Sequence, residues 1–220
     1  MTATALDLIV FDMAGTTIAD RGQVPLAFAT ALAEHGLSIH PDALRAVRGA
    51  SKREALRRLT AGSSADPTKI YAAFVSHLRR AFKDNPPRAI DGAESVFAHF
   101  KRRGIAIALN TGFDRPTMLL LLDSLGWRAP LIDATICCDD VSLGRPAPEL
   151  ILEAMRTTAR TDIARVAAVG DTTLDLEAGA SAGVRFNIGV TTGAHEEAAL
   201  RGAPHTHIIP TIRDLPALFG

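Results

Sequence analysis
Short apolar runs alternate with stretches of helical periodicity along most of the 220 residues. Runs rich in β-forming residues at 6–11, 105–109, 131–137, 165–169, 184–188 and 207–209 predict strands. Stretches at about 92–103, 115–125, 147–159, 173–182 and 194–201 predict the helices between them, several opening on small or polar residues. That alternation specifies an α/β fold with a doubly wound, mostly parallel sheet. Residues 18–88 break it, with helical periodicity at 24–35, 41–47, 51–60 and 67–83 and no strand. A helical cap inserted after the first strand is therefore expected: core domain 1–17 and 89–220, cap domain 18–88. The linkers from Thr16 to Gly22 and at Pro86-Pro87 would form a hinge pair. The run Met118 to Leu122 reads as helix core, and Trp127 as the closure of a packing site between helix and strand.

Composition narrows the partners. With 24 Lys+Arg against 24 Asp+Glu the formal net charge is zero, which gives no attraction to nucleic acid or to an anionic membrane surface. No apolar run approaches the roughly 20 residues of a membrane span, and no basic region followed by a long apolar one marks the N-terminus, so a cytoplasmic protein is expected. Cys137 and Cys138 are adjacent, too close for a mutual disulfide, and read as small hydrophobes ending a buried strand. His195, His205 and His207, with Glu196 and Glu197, repeat no ligand spacing and read as surface residues. A homodimer stays open.

Four motifs punctuate the α/β pattern. Asp12 ends the first apolar run in Leu-Ile-Val-Phe-Asp-Met-Ala-Gly-Thr-Thr; Asn110-Thr111-Gly112 follows the strand at 105–109; Gly144-Arg145-Pro146 precedes a helix; Gly170-Asp171-Thr172-Thr173-Leu174-Asp175 follows the strand at 165–169. Strand C-termini of such a sheet converge on one edge, so these carboxylates, hydroxyls and the guanidinium can share one pocket. Each suits phosphoryl transfer: a carboxylate as nucleophile, carboxylates holding Mg²⁺, and Thr hydroxyl, backbone N–H and Arg on the phosphoryl oxygens. Taken singly, Thr111 could cap the next helix, Arg145 could be a surface charge, and Asp175 could serve a helix dipole.

In order and spacing, the four motifs resemble the haloacid dehalogenase (HAD) superfamily of hydrolases, whose core is Rossmann-like. The resemblance spans essentially the whole chain. It implies Asp12 as aspartyl nucleophile, Thr111 as phosphate-binding hydroxyl, Arg145 as the cation that is usually Lys or Arg, and Mg²⁺ bound by Asp12, Asp171 and the Ala14 carbonyl, with Asp175 direct or through water. Thr16, Asn110 and Gly112 are candidate substrate contacts.

At position 14 most hydrolases of this superfamily carry a second aspartate, a general acid–base of the kind worth on the order of 10²–10⁴ in rate. Ala14 removes it. Asp12-Met-Ala-Gly-Thr-Thr17 instead resembles the phosphonatase branch, which cleaves a carbon–phosphorus bond after a cap lysine forms an imine with the substrate aldehyde. The segment from Arg48 to Leu56 is similar too and sets Lys52 at the lysine position. Ser51-Lys-Arg-Glu54 reads as a capping box, so Lys52 lies in a first helical turn beside Arg48 and Arg53, where its pKa should fall toward a nucleophilic amine. Lys52 as a plain anion-binding or solvent-facing cation stays open. The chain departs from that branch at Ala55 (histidine there), Arg48 (methionine) and Phe113 (tyrosine), and its cap is shorter. Arg48 adds positive charge that suits a second anionic group on the substrate. The resemblance thus implies a Mg²⁺-dependent, phosphonatase-like hydrolase of a small phosphonate or phosphorylated metabolite. The alternatives are a phosphatase of a small phosphorylated acid such as phosphoglycolate, and a catalytically weak phosphate-binding or regulatory module.

Overall fold
The computed structural model describes residues 6–219. Strand β1 (Leu8–Asp12) is followed by four helices, α1 (Gln23–Glu34), α2 (Pro41–Ala46), α3 (Lys52–Leu59) and α4 (Pro67–Asp84). After these come α5 (Ala93–Arg102), β2 (Ala106–Asn110), α6 (Arg115–Leu125), β3 (Ala134–Ile136), α7 (Glu149–Thr157) and β4 (Val166–Gly170). The chain ends through α8 (Thr173–Ala182), β5 (Phe186–Val190), α9 (Glu197–Arg201), β6 (His207–Ile209) and α10 (Leu215–Leu218). The strands are parallel throughout, in the order β3-β2-β1-β4-β5-β6. The chain builds outward from β1 on one side, then returns and builds outward on the other. That reversal opens a crevice at the C-terminal ends of β1 and β4.

Alternation along β1 explains why it sits centrally. Ile9 and Phe11 join the apolar cluster on one sheet face with Phe97, Phe100, Met118 and Leu121; Leu8 and Val10 join the other with Leu150, Ile151, Ala154 and Ala178. Helices therefore cover both faces. Trp127, expected between helix and strand, packs on α5, edge-on to Phe97 at 5.2 Å with its indole N–H on Glu94 at 2.9 Å. β3 is shorter than the predicted run because Leu131 and Ile132 turn back onto the Arg128 carbonyl. α10 went unpredicted; its four residues are too few to show a period.

The first cluster continues without a break into the insertion. Phe28 and Leu32 of α1, Leu56 of α3, and Ile70, Phe74, Leu78 and Phe82 of α4 belong to it, joined to the sheet through Met13, Ile18 and Phe113. The α4 residues recur every fourth position, one stripe of an amphipathic helix that starts at an Asp66 cap and Pro67. Phe28 and Phe74 stack with centroids 4.2 Å apart. The two linkers run antiparallel side by side: Ala19 N–H donates to the Arg88 carbonyl at 2.9 Å and Ile90 N–H to the Thr17 carbonyl at 2.8 Å.

Phe74→Ala removes a ring that is 1% exposed at the α1–α4 contact. We expect a loss of about 3–5 kcal/mol in urea unfolding, with hydrogen exchange accelerating first in α1 and α4.

Candidate active site
Asp12 and Asn110 stand opposite one another in register at the ends of β1 and β2, and Asp171 follows β4 directly. Parallel strands thus bring residues about a hundred positions apart to one edge. Arg145, from the loop before α7, reaches into this edge with a guanidinium that is almost wholly buried. It donates to Asp12 Oδ1 at 2.7 Å, to Asp175 Oδ1 at 2.8 Å and to the Asn110 side-chain oxygen. The surface-charge reading of Arg145 fails on this burial. Burial alone would lower its pKa, but Asp175 and Asp12 hold the guanidinium firmly charged.

The other carboxylates differ in how they are answered. Asp175 gives its second oxygen to the Thr172 N–H at 3.0 Å and to the Thr172 hydroxyl at 2.5 Å, closing a capping box that starts α8. Asp171 accepts from the Thr16 hydroxyl at 3.1 Å and from the Ala194 N–H at 2.6 Å, and among the described residues no basic group pairs with it. Burial raises its pKa, and Asp12 and Asp175 raise it further. Asp12 is also pushed up by burial, partly offset by Arg145. The backbone closes tightly on Asp171: a Cβ on Gly15, which sits at φ +103°, would lie 2.3 Å from its carboxylate. Asp12 and Asp171, buried and mutually repelling, are hard oxygen donors of the kind a divalent cation takes. Among the described residues, no group of three or more His, Cys, Asp or Glu side chains is placed so that it could hold a metal ion.

The insertion closes this edge from above. Gly49 approaches Thr172 so nearly that a Cβ would stand 2.4 Å from the hydroxyl, and Lys52 N–H donates to the Gly112 carbonyl at 3.1 Å. Ser51 caps α3 by accepting from Glu54 N–H at 3.2 Å. The capping box is half made, because Glu54 turns its carboxylate to Arg57 and Arg58. Lys52 Nζ lies 4.7 Å over the Phe113 ring and 3.4 Å from the Ala50 carbonyl. Burial lowers its pKa to about 8, opposed by Asp12 and reinforced by Arg145. Floor and insertion together bound a cavity of about 210 Å³ lined by Asp12, Ala14, Lys52, Thr111, Arg145 and Asp171, among others.

Of the residues singled out by sequence, Asp12, Ala14, Arg48, Lys52, Thr111, Gly112, Arg145, Asp171 and Asp175 all line this cavity. Asn110 and Thr16 do not line it; they hold Arg145 and Asp171. Thr111 accepts from Phe113 N–H at 3.2 Å and does not cap α6; Asp114 does, at 3.0 Å from Thr117 N–H. The Asp-x-Pro start of α6 already carried that signal. Arg48 is ion-paired with Asp20, a partner that sequence reasoning missed. Also missed was the clasp of Tyr71, whose hydroxyl donates to Asp114 Oδ2 at 2.6 Å while Arg53 lies 5.2 Å over its ring. His195 is not a plain surface residue: its Nδ1 accepts from Thr173 N–H at 3.1 Å, and its own N–H bonds the Asp171 carbonyl. Those bonds keep residues 194 and 195 out of α9, which starts later than predicted.

Fold and site define a hydrolase. Residues 6–183 match the haloacid dehalogenase-like hydrolase family, and the chain belongs to that family. Among its relatives is the phosphonoacetaldehyde hydrolase of Hahella chejuensis, 29% identical over 207 residues that cover 87% of this chain and 70% of that protein. The phosphonoacetaldehyde hydrolase of Latilactobacillus sakei is 27% identical over 230 residues, covering 97% and 83%. The crystal structure of a phosphonoacetaldehyde hydrolase-like protein from Oleispira antarctica shares the fold, with a TM-score of 0.87 at 21% identity over 99% of this chain and 92% of that one. No helix of the described residues is long and apolar enough to cross a membrane.

Arg145→Met strands the buried Asp12 and Asp175 carboxylates. The variant should lose about 3–5 kcal/mol at pH 7.5. Because losing the cation raises the Asp12 pKa further, part of the loss should be recovered as the pH falls to 5 and Asp12 is neutralised, which urea titrations at the two pH values would read.

Proposed function
We infer that the enzyme hydrolyses a small organophosphorus metabolite through a phosphoryl-Asp12 intermediate, in the phosphonatase manner, with Lys52 activating a carbonyl on the departing fragment. The observation that carries this reading is the pairing of Ala14 with Lys52: the cavity holding the nucleophile has no acid at position 14 but has a lysine with a pKa lowered to about 8. About one tenth of such an amine is neutral at pH 7.

On this reading residues 18–88 are a cap over a core of 1–17 and 89–220. The Lys52 amine adds to the substrate carbonyl and expels water, giving a protonated imine. Asp12 then attacks phosphorus, and the carbon–phosphorus bonding pair flows into the iminium to leave an enamine. No proton is required from position 14, so an alanine suffices there. Water next cleaves the aspartyl phosphate, and the enamine is protonated and hydrolysed back to free Lys52. Thr111 and Arg145 bind phosphoryl oxygens; Arg145 also keeps Asp12 ionised. Asn110, Thr16 and Asp175 are positioning residues, and Gly112 seats the Lys52 turn. Mg²⁺ would be held by Asp12, Asp171 and the Ala14 carbonyl; when bound it offsets the substrate's negative charge. Asp175, with both oxygens engaged, would support that site through Arg145 and Thr172.

The names of the relatives and the burial of Lys52 support this reading over a phosphatase of small acids. The test is hydrolysis of phosphonoacetaldehyde with Mg²⁺. We expect Asp12→Asn to abolish it. For the wild type, kcat/KM should rise with pH to a plateau above about 8, since the neutral amine is the reactive form. A profile that falls through pH 8 would make Lys52 an anion-binding cation instead. Ala14→Asp places a carboxylate in the Lys52 cavity, which favours the ammonium; cleavage should drop at least tenfold.

A further inference from the structure
Away from its charged floor the cavity changes character. Val24 and Phe28 lie one turn apart on α1, Leu44 is on α2 and Val47 follows it; all four line the cavity, and none takes part in the chemistry proposed above. Phe28 and Val47 are buried, at 5% and 9% exposure. Of the charges bordering these side chains, Arg48 pairs with Asp20, whose side chain is 10% exposed, while Arg45 and Asp42 form an exposed pair within α2. Burial lowers the Arg48 pKa, and the Asp171 carboxylate opposes that shift. Asp20 takes one nitrogen of the Arg48 guanidinium, so a second anion at this end would share that cation with a carboxylate already bound to it. The pairing reduces the free positive charge that the sequence alone assigns to Arg48.

We propose that the far end of the cavity is a subsite for a neutral apolar substituent, so that the substrate is an organophosphonate whose carbonyl fragment is larger than acetaldehyde, such as a 2-oxoalkylphosphonate. This rests on the phosphonatase reading of the site. The reaction balances as R–CO–CH₂–PO₃²⁻ plus water giving R–CO–CH₃ plus hydrogen phosphate. The carbon–phosphorus bond breaks with its electron pair passing to the imine formed by Lys52, the phosphoryl group passes through Asp12 to water, and R rests against Phe28, Leu44 and Val47. Burial of each methylene of R should tighten binding about fourfold.

Calorimetric titration of the full chain with unreactive methyl-, ethyl-, propyl- and butylphosphonate, in Mg²⁺ buffer, reads the subsite without requiring turnover. Expected is a Kd falling about threefold to fourfold per methylene, a 3-carboxypropylphosphonate at least tenfold weaker than butylphosphonate, and a flattened series in Leu44→Ser and Val24→Ser. A flat wild-type series, or tighter binding of the carboxylate, would overturn the subsite. Hydrolysis assays on phosphonoacetaldehyde and on 2-oxobutyl- and 2-oxopentylphosphonate separate the two inferences. Cleavage of the aldehyde with a flat binding series sinks the subsite and leaves the phosphonatase reading standing. A graded series with no carbon–phosphorus cleavage of any compound does the reverse. Faster cleavage of the ketones than of the aldehyde supports both.

Discussion
Three carboxylates buried around one guanidinium set the terms for the rest of this molecule. Asp12, Asp171 and Asp175 meet because β1 and β4 are neighbours at the point where the strand order reverses, and two of them share Arg145. Removing such charges from water costs several kcal/mol each unless they are paired and hydrogen-bonded. Arg145 answers Asp12 and Asp175, and Thr172 and Thr16 saturate further oxygens. Among the described residues Asp171 has hydrogen bonds but no ion-paired cation, and burial, with Asp12 and Asp175 beside it, raises its pKa. The arrangement keeps one carboxylate without a paired cation, which is the demand that the proposed phosphoryl-transfer chemistry would use to take up a cation and a charged substrate together.

The insertion turns this edge into a cavity. Its apolar stripe is continuous with one face of the sheet, so its docking is a packing interaction as well as a polar one. The approach at Gly49 and Gly112 brings Lys52 over the floor, where loss of solvation lowers its pKa. On the proposed reading the same closure accounts for Ala14: chemistry that an aspartate would supply from the core is assigned to an amine carried by the insertion, whose burial lowers its pKa.

Much of the fold was legible because it is written in local periodicity. β1 and β4 are continuous apolar runs, as strands buried on both faces must be, and the four-residue spacing of Ile70, Phe74, Leu78 and Phe82 announces α4. The floor was legible too, since Asp12, Asp171 and Arg145 stand at strand ends or motif positions that the topology brings together. What escaped was pairing between elements remote in sequence. Nothing local to Asp20 marks it as the partner of Arg48, and nothing near Tyr71 points to Asp114. The Tyr71–Asp114 pair exists only once the insertion has docked, whereas Asp20 and Arg48 are brought together by the folding of the insertion itself. The Arg48–Asp20 pair lies on the cavity wall and reduces the positive charge that a count along the sequence assigns there.

The central claim is that Lys52 replaces the missing acid by covalent chemistry. Borohydride added during turnover of phosphonoacetaldehyde, followed by peptide mass spectrometry, tests it most directly. The account predicts loss of activity with a reduced two-carbon adduct on Lys52, absent when phosphonoacetaldehyde is omitted. Continued turnover under borohydride with Lys52 unmodified would contradict it.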